Sequence, residues 1–422
     1  MGVKNRRIAL VLAGAALVSS ACGRRNGKTG QGAYADMVAD AVPKVEKAVG
    51  VPFKTPPKFA VLTRDQVRDF LVRKFDEQTP AAELAGQEAA YKAFGLIPDS
   101  LDLRPFLIKL LTEQIIGYYD PSTKELYIVQ GAPDDLIGVT VTHELVHALQ
   151  DQYVNLDSIQ QATGDNDRQM AAQAVIEGEA TYEQLAIMLG ASKLEQMLDS
   201  NWDMVRRMIS ESHDSQSVFG SAPTAIQQEL LFPYLSGAEF VRRFKVHDPG
   251  KLPFRDMPVS TTQILHEPAY FDSVRDVPAR VSLPRTEGRT IYENDLGEFD
   301  TRLFIYQHTH DQTLAVNAAE GWDGGRYRLL AEPRGTAVVW ATVWRSSVDA
   351  AQFVDALGQV AERWYRTPNP AILYTGQHTY RGSKRTVQVT PLKIAGRDVV
   401  LYVDAPTGSN LNLLDPQAIR LK

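Results

Sequence analysis

Apolar residues recur at helical spacing through "YADMVADAVPKVEKAVG", residues 34–50, where Pro43 is expected to interrupt the run. "KFAVLT", 58–63, reads as a strand, and 64–94 as helical, with Gln and Glu interleaved among Ala, Leu and Phe. In "IIGYYDPSTKELYIVQG", 115–131, two β-rich runs flank the turn signal "DPSTK", which predicts a hairpin. "APDDLIGVTVTHELVHALQDQY" follows. Pro133 with Asp134 or Asp135 suits a helix start, and the apolar pattern runs on to Tyr153 as a buried helix. Further helices are expected at 168–190, 193–213 and 223–246, and the Pro-rich stretch 247–292 reads as irregular.

Beyond that stretch the pattern changes. A helix at 298–308 precedes "RYRLLAEPRGTAVVWATVW", which reads as two strands. The helix "SVDAAQFVDALGQVAERWY" and a strand hairpin in "RTVQVTPLKIAGRDVVLYVDA" complete the chain. The whole predicts an α+β protein. A mainly helical region with a small edge sheet occupies 34–285, and a C-terminal α+β region without a catalytic constellation occupies 286–422.

The chain has 422 residues and a net charge of −6 with no basic stripe, so nucleic acid is not an expected partner. No solenoid-type repeat is visible, and no stretch after residue 22 is apolar and long enough to span a bilayer. The first 21 residues read as a secretory signal: Lys4, Arg6 and Arg7, the short apolar run Ile8 to Val18, then small residues. "VSSAC" resembles the lipobox of bacterial lipoproteins, with Ser19 where Leu is usual, which implies cleavage before Cys22 and a lipid on it. Residues 22–33 then form a flexible Gly-rich tether, and the expected location is the cell envelope, anchored to a membrane through Cys22. Cys22 is the only cysteine, so neither a disulfide nor a cysteine nucleophile is expected.

The chemistry concentrates in "HELVH", 143–147. Successive helical residues are turned by about 100°, so His143 and His147 share a face and Glu144 lies beside them. This is the spacing of zinc hydrolases, with two imidazole ligands and a carboxylate placed to handle the proton of a water. Zinc is therefore the expected cofactor, and a third ligand is required. A His-ligand continuation would need Gly at position 150 and His at 153, where the chain has Gln150 and Tyr153. "VIEGEATYEQL" offers Glu177, Glu179 and Glu183. Glu177 is the one flanked by apolar residues, and Gly178 beside it costs about 1 kcal/mol in a helix, which points to close helix packing. The competing reading of all three is as solvated helix residues.

"HELVH" followed by "EGEATY" resembles the gluzincin metallopeptidases of the zincin fold, above all the aminopeptidase N-like branch. The resemblance implies Glu177 as third ligand. "LFPYLSGAEFV", 231–241, is similar to a later segment of that branch and implies that the Tyr234 hydroxyl steadies the tetrahedral intermediate. "THELVHALQDQ" and "STTQILH", 260–266, also resemble bacterial secreted proteins regarded as zinc peptidases of this superfamily. The Gly-x-Met-Glu-Asn strand that reads a free amino terminus in the aminopeptidases is absent.

The expected activity is hydrolysis of a peptide or protein substrate, with Glu144 as general base and then acid. The hairpin edge is a candidate for binding extended peptide. Asp151 and Thr181, each one turn beyond a ligand, are candidate partners of the ligands, and His266 a candidate oxyanion donor or a loop anchor. His213, His247, His308, His310 and His378 have no partner at ligand spacing. Two alternatives stand beside the peptidase: a non-catalytic zincin scaffold for envelope assembly or binding, and a zinc hydrolase of a non-peptide amide or ester. Retention of Glu144 argues against the first, since a scaffold needs no such carboxylate. The C-terminal region reads as a partner-binding module or a structural cap.

Overall fold

The computed structural model describes residues 31–78, 81–160, 164–196, 217–366 and 376–422. Cys22, His213 and most of the helix expected at 193–213 lie outside the described residues; 191–196 are helical. The chain is α+β. α1 (Gln31–Val49) is one continuous helix through Pro43, contrary to the expected interruption. Val38, Val45 and Val49 are buried on it, and α1 packs against the helix that carries "HELVH", so burial outweighs the missing backbone bond at the proline.

β1 (Lys58–Leu62), β2 (Gly117–Asp120) and β3 (Glu125–Val129) form a small sheet in the order β1-β3-β2, with β1 parallel and β2 antiparallel to β3. The strand and hairpin fall where expected. α2 (Arg64–Gln78), α3 (Ala81–Ala93) and α4 (Leu103–Gln114) lie between β1 and β2. α5 (Asp134–Tyr153) then carries His143 and His147. Ile137, Val141, Leu145 and Leu149, at i, i+4, i+8 and i+12, are buried in one core, and the polar residues between them are also buried. Such a helix is enclosed on all sides, and its polar face needs internal partners.

The short α6 (Leu156–Gln160) leads to α7 (Asn166–Leu189), which carries Glu177, and α8 (Thr224–His247) carries Tyr234. α7 and α8 meet backbone to backbone. A Cβ on Gly178 would lie 2.1 Å from the Gly237 carbonyl carbon, and one on Gly237 would lie 2.0 Å from the Ala174 oxygen. The packing role expected of Gly178 is thus met by Gly237, inside the same helix as Tyr234. Pro233 also lies within that helix. This contact sets Glu177, one residue before Gly178, against Tyr234, one turn before Gly237. Gly178→Ala is therefore expected to destabilise the chain by about 2 kcal/mol or more. Gly138→Ala on α5, where nothing lies within 4 Å of the new Cβ, should be neutral or stabilising by up to about 1 kcal/mol. Thermal melts of the two variants compare the sites directly, and equal melting temperatures would remove the close-approach role of Gly178.

The stretch expected to be irregular holds two short helices, α9 (Thr261–Leu265) and α10 (Glu267–Phe271), and strands β4 (Val281–Ser282) and β5 (Arg289–Asn294). α11 (Glu298–Thr309) and α12 (Gln312–Ala319) precede β6 (Trp322–Glu332) and β7 (Gly335–Trp344). α13 (Ser347–Tyr365), β8 (His378–Arg381), β9 (Arg385–Ile394), β10 (Arg397–Pro406) and β11 (Arg420–Leu421) follow. β5-β6-β7-β10-β9-β8 form a six-stranded antiparallel sheet. Its faces follow the two-residue period: Val338, Trp340 and Trp344 pack on the helices, whereas Ala337, Val339, Ala341 and Val343 pack beneath the C-terminal segment. Phe94 inserts among Phe304, Tyr327 and Trp340, so the helical region and the sheet share a core. No described helix is long and apolar enough to cross a membrane.

Candidate metal centre

α5 and α7 bring His143, His147 and Glu177 together, each only 1% exposed, as the one described cluster able to hold a metal ion. His143 Nε2 lies 3.1 Å from His147 Nε2, and Glu177 Oε2 lies 3.2 Å from the first and 3.4 Å from the second. Tetrahedral zinc with bonds of about 2.0–2.1 Å places its ligand atoms roughly 3.3 Å apart, so the three atoms are spaced as one small cation requires.

The outward nitrogens fix the tautomers. Gln150 Nε2 donates to the Ile176 carbonyl at 3.1 Å and to Glu179 Oε2 at 2.8 Å, so its Oε1, 2.9 Å from His147 Nδ1, is an acceptor. Gln184 Oε1 takes the same position on His143 Nδ1, at 3.0 Å. Each Nδ1 therefore carries a hydrogen, and both Nε2 lone pairs face the Glu177 carboxylate. Three bases in so small a buried space could hold a metal ion, and two imidazoles with one carboxylate are donor types that zinc takes. Without one, a proton serves: the Glu177 charge outweighs the depressing effect of burial and raises His147 to about 9, while the histidines offset burial and hold Glu177 at about 2.

Glu144 is fully buried beside the cluster. The Tyr119 amide of β2 donates to its Oε2 at 2.7 Å, and its Oε1 has no partner. Burial raises its pKa against the pull of His147 and His143, with Glu177 adding to the rise. Tyr234 also belongs here. Its ring lies 6.1 Å from that of His143, and its hydroxyl is hydrogen-bonded to Glu177. Burial, then the charges of Glu177 and Glu144, raise the phenol well above its ordinary value, so it keeps its proton.

Other candidates have different places. Asp151 does not support a histidine: its Oδ2 accepts from the Tyr119 hydroxyl at 2.8 Å and from Lys124 at 2.6 Å. It ties the hairpin to α5, and so places the Tyr119 amide that holds Glu144. Thr181 is buried with no partner on its hydroxyl and supports neither ligand. Glu179 braces Gln150 and is raised by burial to about 7, while Glu183 pairs with Lys245 of α8. His266 sits 2.7 Å from Glu298 and 3.1 Å from Arg302, an anchor between α9 and α11 rather than an oxyanion donor. The rest of "STTQILH" is also a clasp, since Thr261 binds Asp167 at the start of α7 through its amide and hydroxyl. His247 pairs with Glu267, and His308 stacks on Trp364. β2 is the outer strand of its sheet, but Glu144 already occupies the Tyr119 amide of the edge proposed for peptide.

The sequence reading missed Gln150, Gln184 and Tyr119. The two glutamines had a signal: Gln150 lies three residues after His147 and Gln184 seven after Glu177, each on its ligand's helical face. Tyr119 had none, because its part is played by a backbone amide.

Residues 285–415 match a family model described as a domain of unknown function, DUF8575. That segment covers well under half of the chain and contains none of the clustered residues. No curated protein matches. A solved structure from Chloroflexus aurantiacus, described as a provisionally assigned hydrolase with a novel fold, is 19% identical over 59% of this chain and 91% of its own, with a TM-score of 0.31. A likeness that low carries no argument about fold or activity.

Proposed function

We propose that the chain is a zinc-dependent peptidase of gluzincin type. The observation that carries this reading is the convergence of two Nε2 atoms and one carboxylate oxygen at 3.1–3.4 Å, beside a buried glutamate with a free oxygen. A zinc ion held there would polarise the substrate carbonyl and bring the pKa of a water to about 7. Glu144 Oε1 takes the proton of the attacking water, and its raised pKa suits it to pass that proton to the leaving nitrogen. The Tyr119 amide fixes the carboxylate so that only one oxygen is available. Tyr234, locked in its protonated form, turns from Glu177 to the oxygen that gains charge.

Elemental analysis of the purified chain, paired with cleavage of a mixed peptide library, tests the reading. About one zinc per chain with peptide cleavage is expected. Zinc with hydrolysis only of esters or non-peptide amides would favour that class instead, and zinc with no hydrolysis would favour a scaffold. Tyr234→Phe keeps the ring and removes the hydroxyl. kcat should fall roughly 10²-fold with zinc content and melting temperature nearly unchanged. Full kcat in this variant would make Tyr234 a packing residue.

A further inference from the structure

A cavity of about 120 Å³ runs from the metal centre between the N-terminal halves of α7 and α8 towards α3 and α11. Glu177 and Tyr234 line one end, and Glu83, Glu229 and Asp300 line the remainder. Among the described residues no Lys, Arg or His lines it. Besides Glu177 of the metal cluster, three carboxylates thus face a partly enclosed space with no basic side chain among its lining residues, an arrangement that repels anions.

The side chains show what the cavity lacks. Asp300 is 2% exposed; its Oδ2 accepts from Asn166 at 2.9 Å, and its Oδ1 is buried with no partner. Glu229, partly open to the cavity, accepts from the Tyr91 hydroxyl at 2.5 Å. Burial and the charge of Asp300 push Glu229 up to about 8, and burial pushes Asp300 up to about 6, so both regain full charge when a cation arrives. A metal ion does not fit: Glu83, Glu229 and Asp300 form no grouping tight enough to share one. A larger organic cation does. The volume approaches the roughly 150 Å³ that accepts a small aromatic ring, enough for one guanidinium, and Tyr91, Phe94 and Tyr327 supply aromatic walls. Glu229 precedes Tyr234 by five helical residues, about 7.5 Å of rise, a span suited to an extended Lys or Arg side chain.

We propose that this cavity is the specificity pocket of the peptidase and takes the cationic side chain of an arginine or lysine in the substrate. The assignment rests on the peptidase reading, and the test keeps the two apart. Paired Nα-acetylated peptides differ only in arginine or citrulline, its neutral near-isostere. Cleavage is measured on the wild-type chain, and binding by calorimetry on Glu144→Gln, whose cavity is intact. The arginine peptide should be favoured at least about 10-fold in both kcat/KM and Kd. Glu229→Gln, whose amide oxygen can still accept the Tyr91 hydrogen bond, removes the charge and should shrink that preference to within about 2-fold, measured against cleavage of a peptide without basic residues by the same variant. Equal handling of the two peptides, or a preference that survives Glu229→Gln, would overturn the assignment. So would a preference for free over acetylated amino termini with no arginine effect, since the cavity would then read an α-amino group. Binding that favours arginine without cleavage of any peptide would support the pocket and sink the peptidase.

Discussion

Glu144→Gln should lower peptide hydrolysis about 10³-fold while leaving one metal ion per chain in place. The amide fills the same volume and can still accept the Tyr119 hydrogen bond, so the fold around it has no reason to change. It has no oxygen able to take a proton near neutral pH. In the native chain Oε1 is free for that task, and burial holds the carboxyl above its ordinary pKa, closer to the pH at which it must both accept and release a proton. General acid–base catalysis contributes typically about 10²–10⁴-fold, and the proposed mechanism would route both transfers through one group. Single-turnover cleavage with metal analysis of the same sample is the measurement. Activity within a few-fold of wild type would falsify water activation by Glu144. Lost activity together with lost metal would show only that the substitution disturbed the ligands.

Much of this centre was legible in the chain because helical periodicity places side chains by arithmetic. His143 and His147 share a face of α5 whatever the rest of the fold does, and Gly178 announced a close helix approach through its cost alone. What remained hidden depends on distant segments. That Gly178 meets Gly237, and so brings Tyr234 to Glu177, is a fact of α7–α8 packing that neither sequence segment states. The partners of Asp151 were not legible because spacing shows which face a residue occupies but not what crosses that face. Here the hairpin crosses it, and Tyr119 and Lys124 reach Asp151 first. Continuity through Pro43 was hidden for the same reason, since the stabilising contacts come from α5. The acidic cavity draws Glu83, Glu229 and Asp300 from three separate helices and has no motif.

His143→Ala or His147→Ala should abolish stoichiometric zinc binding, and Glu177→Ala should weaken it strongly. Each of these atoms is buried, and no other described His, Cys, Asp or Glu joins the cluster, so losing one leaves fewer than the three protein donors a zinc site takes. Glu179→Ala separates ligand from brace. Glu179 touches the site only through Gln150, which holds the His147 ring, so one zinc should still bind, with affinity reduced about 10–100-fold. Zinc lost in Glu179→Ala but kept in Glu177→Ala would show that the third ligand had been assigned to the wrong carboxylate. The same metal should appear in the stability of the chain. A ligand bound only by the folded state, at a thousandfold excess over its Kd, stabilises by about 4 kcal/mol. Chelator-treated wild type should therefore melt well below the zinc-loaded protein and recover when zinc is returned. Chelator-treated His147→Ala should gain nothing from the same zinc, because a single imidazole and a carboxylate cannot hold the ion against water. A melting temperature for wild type that ignores both chelator and zinc would mean that the buried triad is satisfied by its own shared proton and holds no metal.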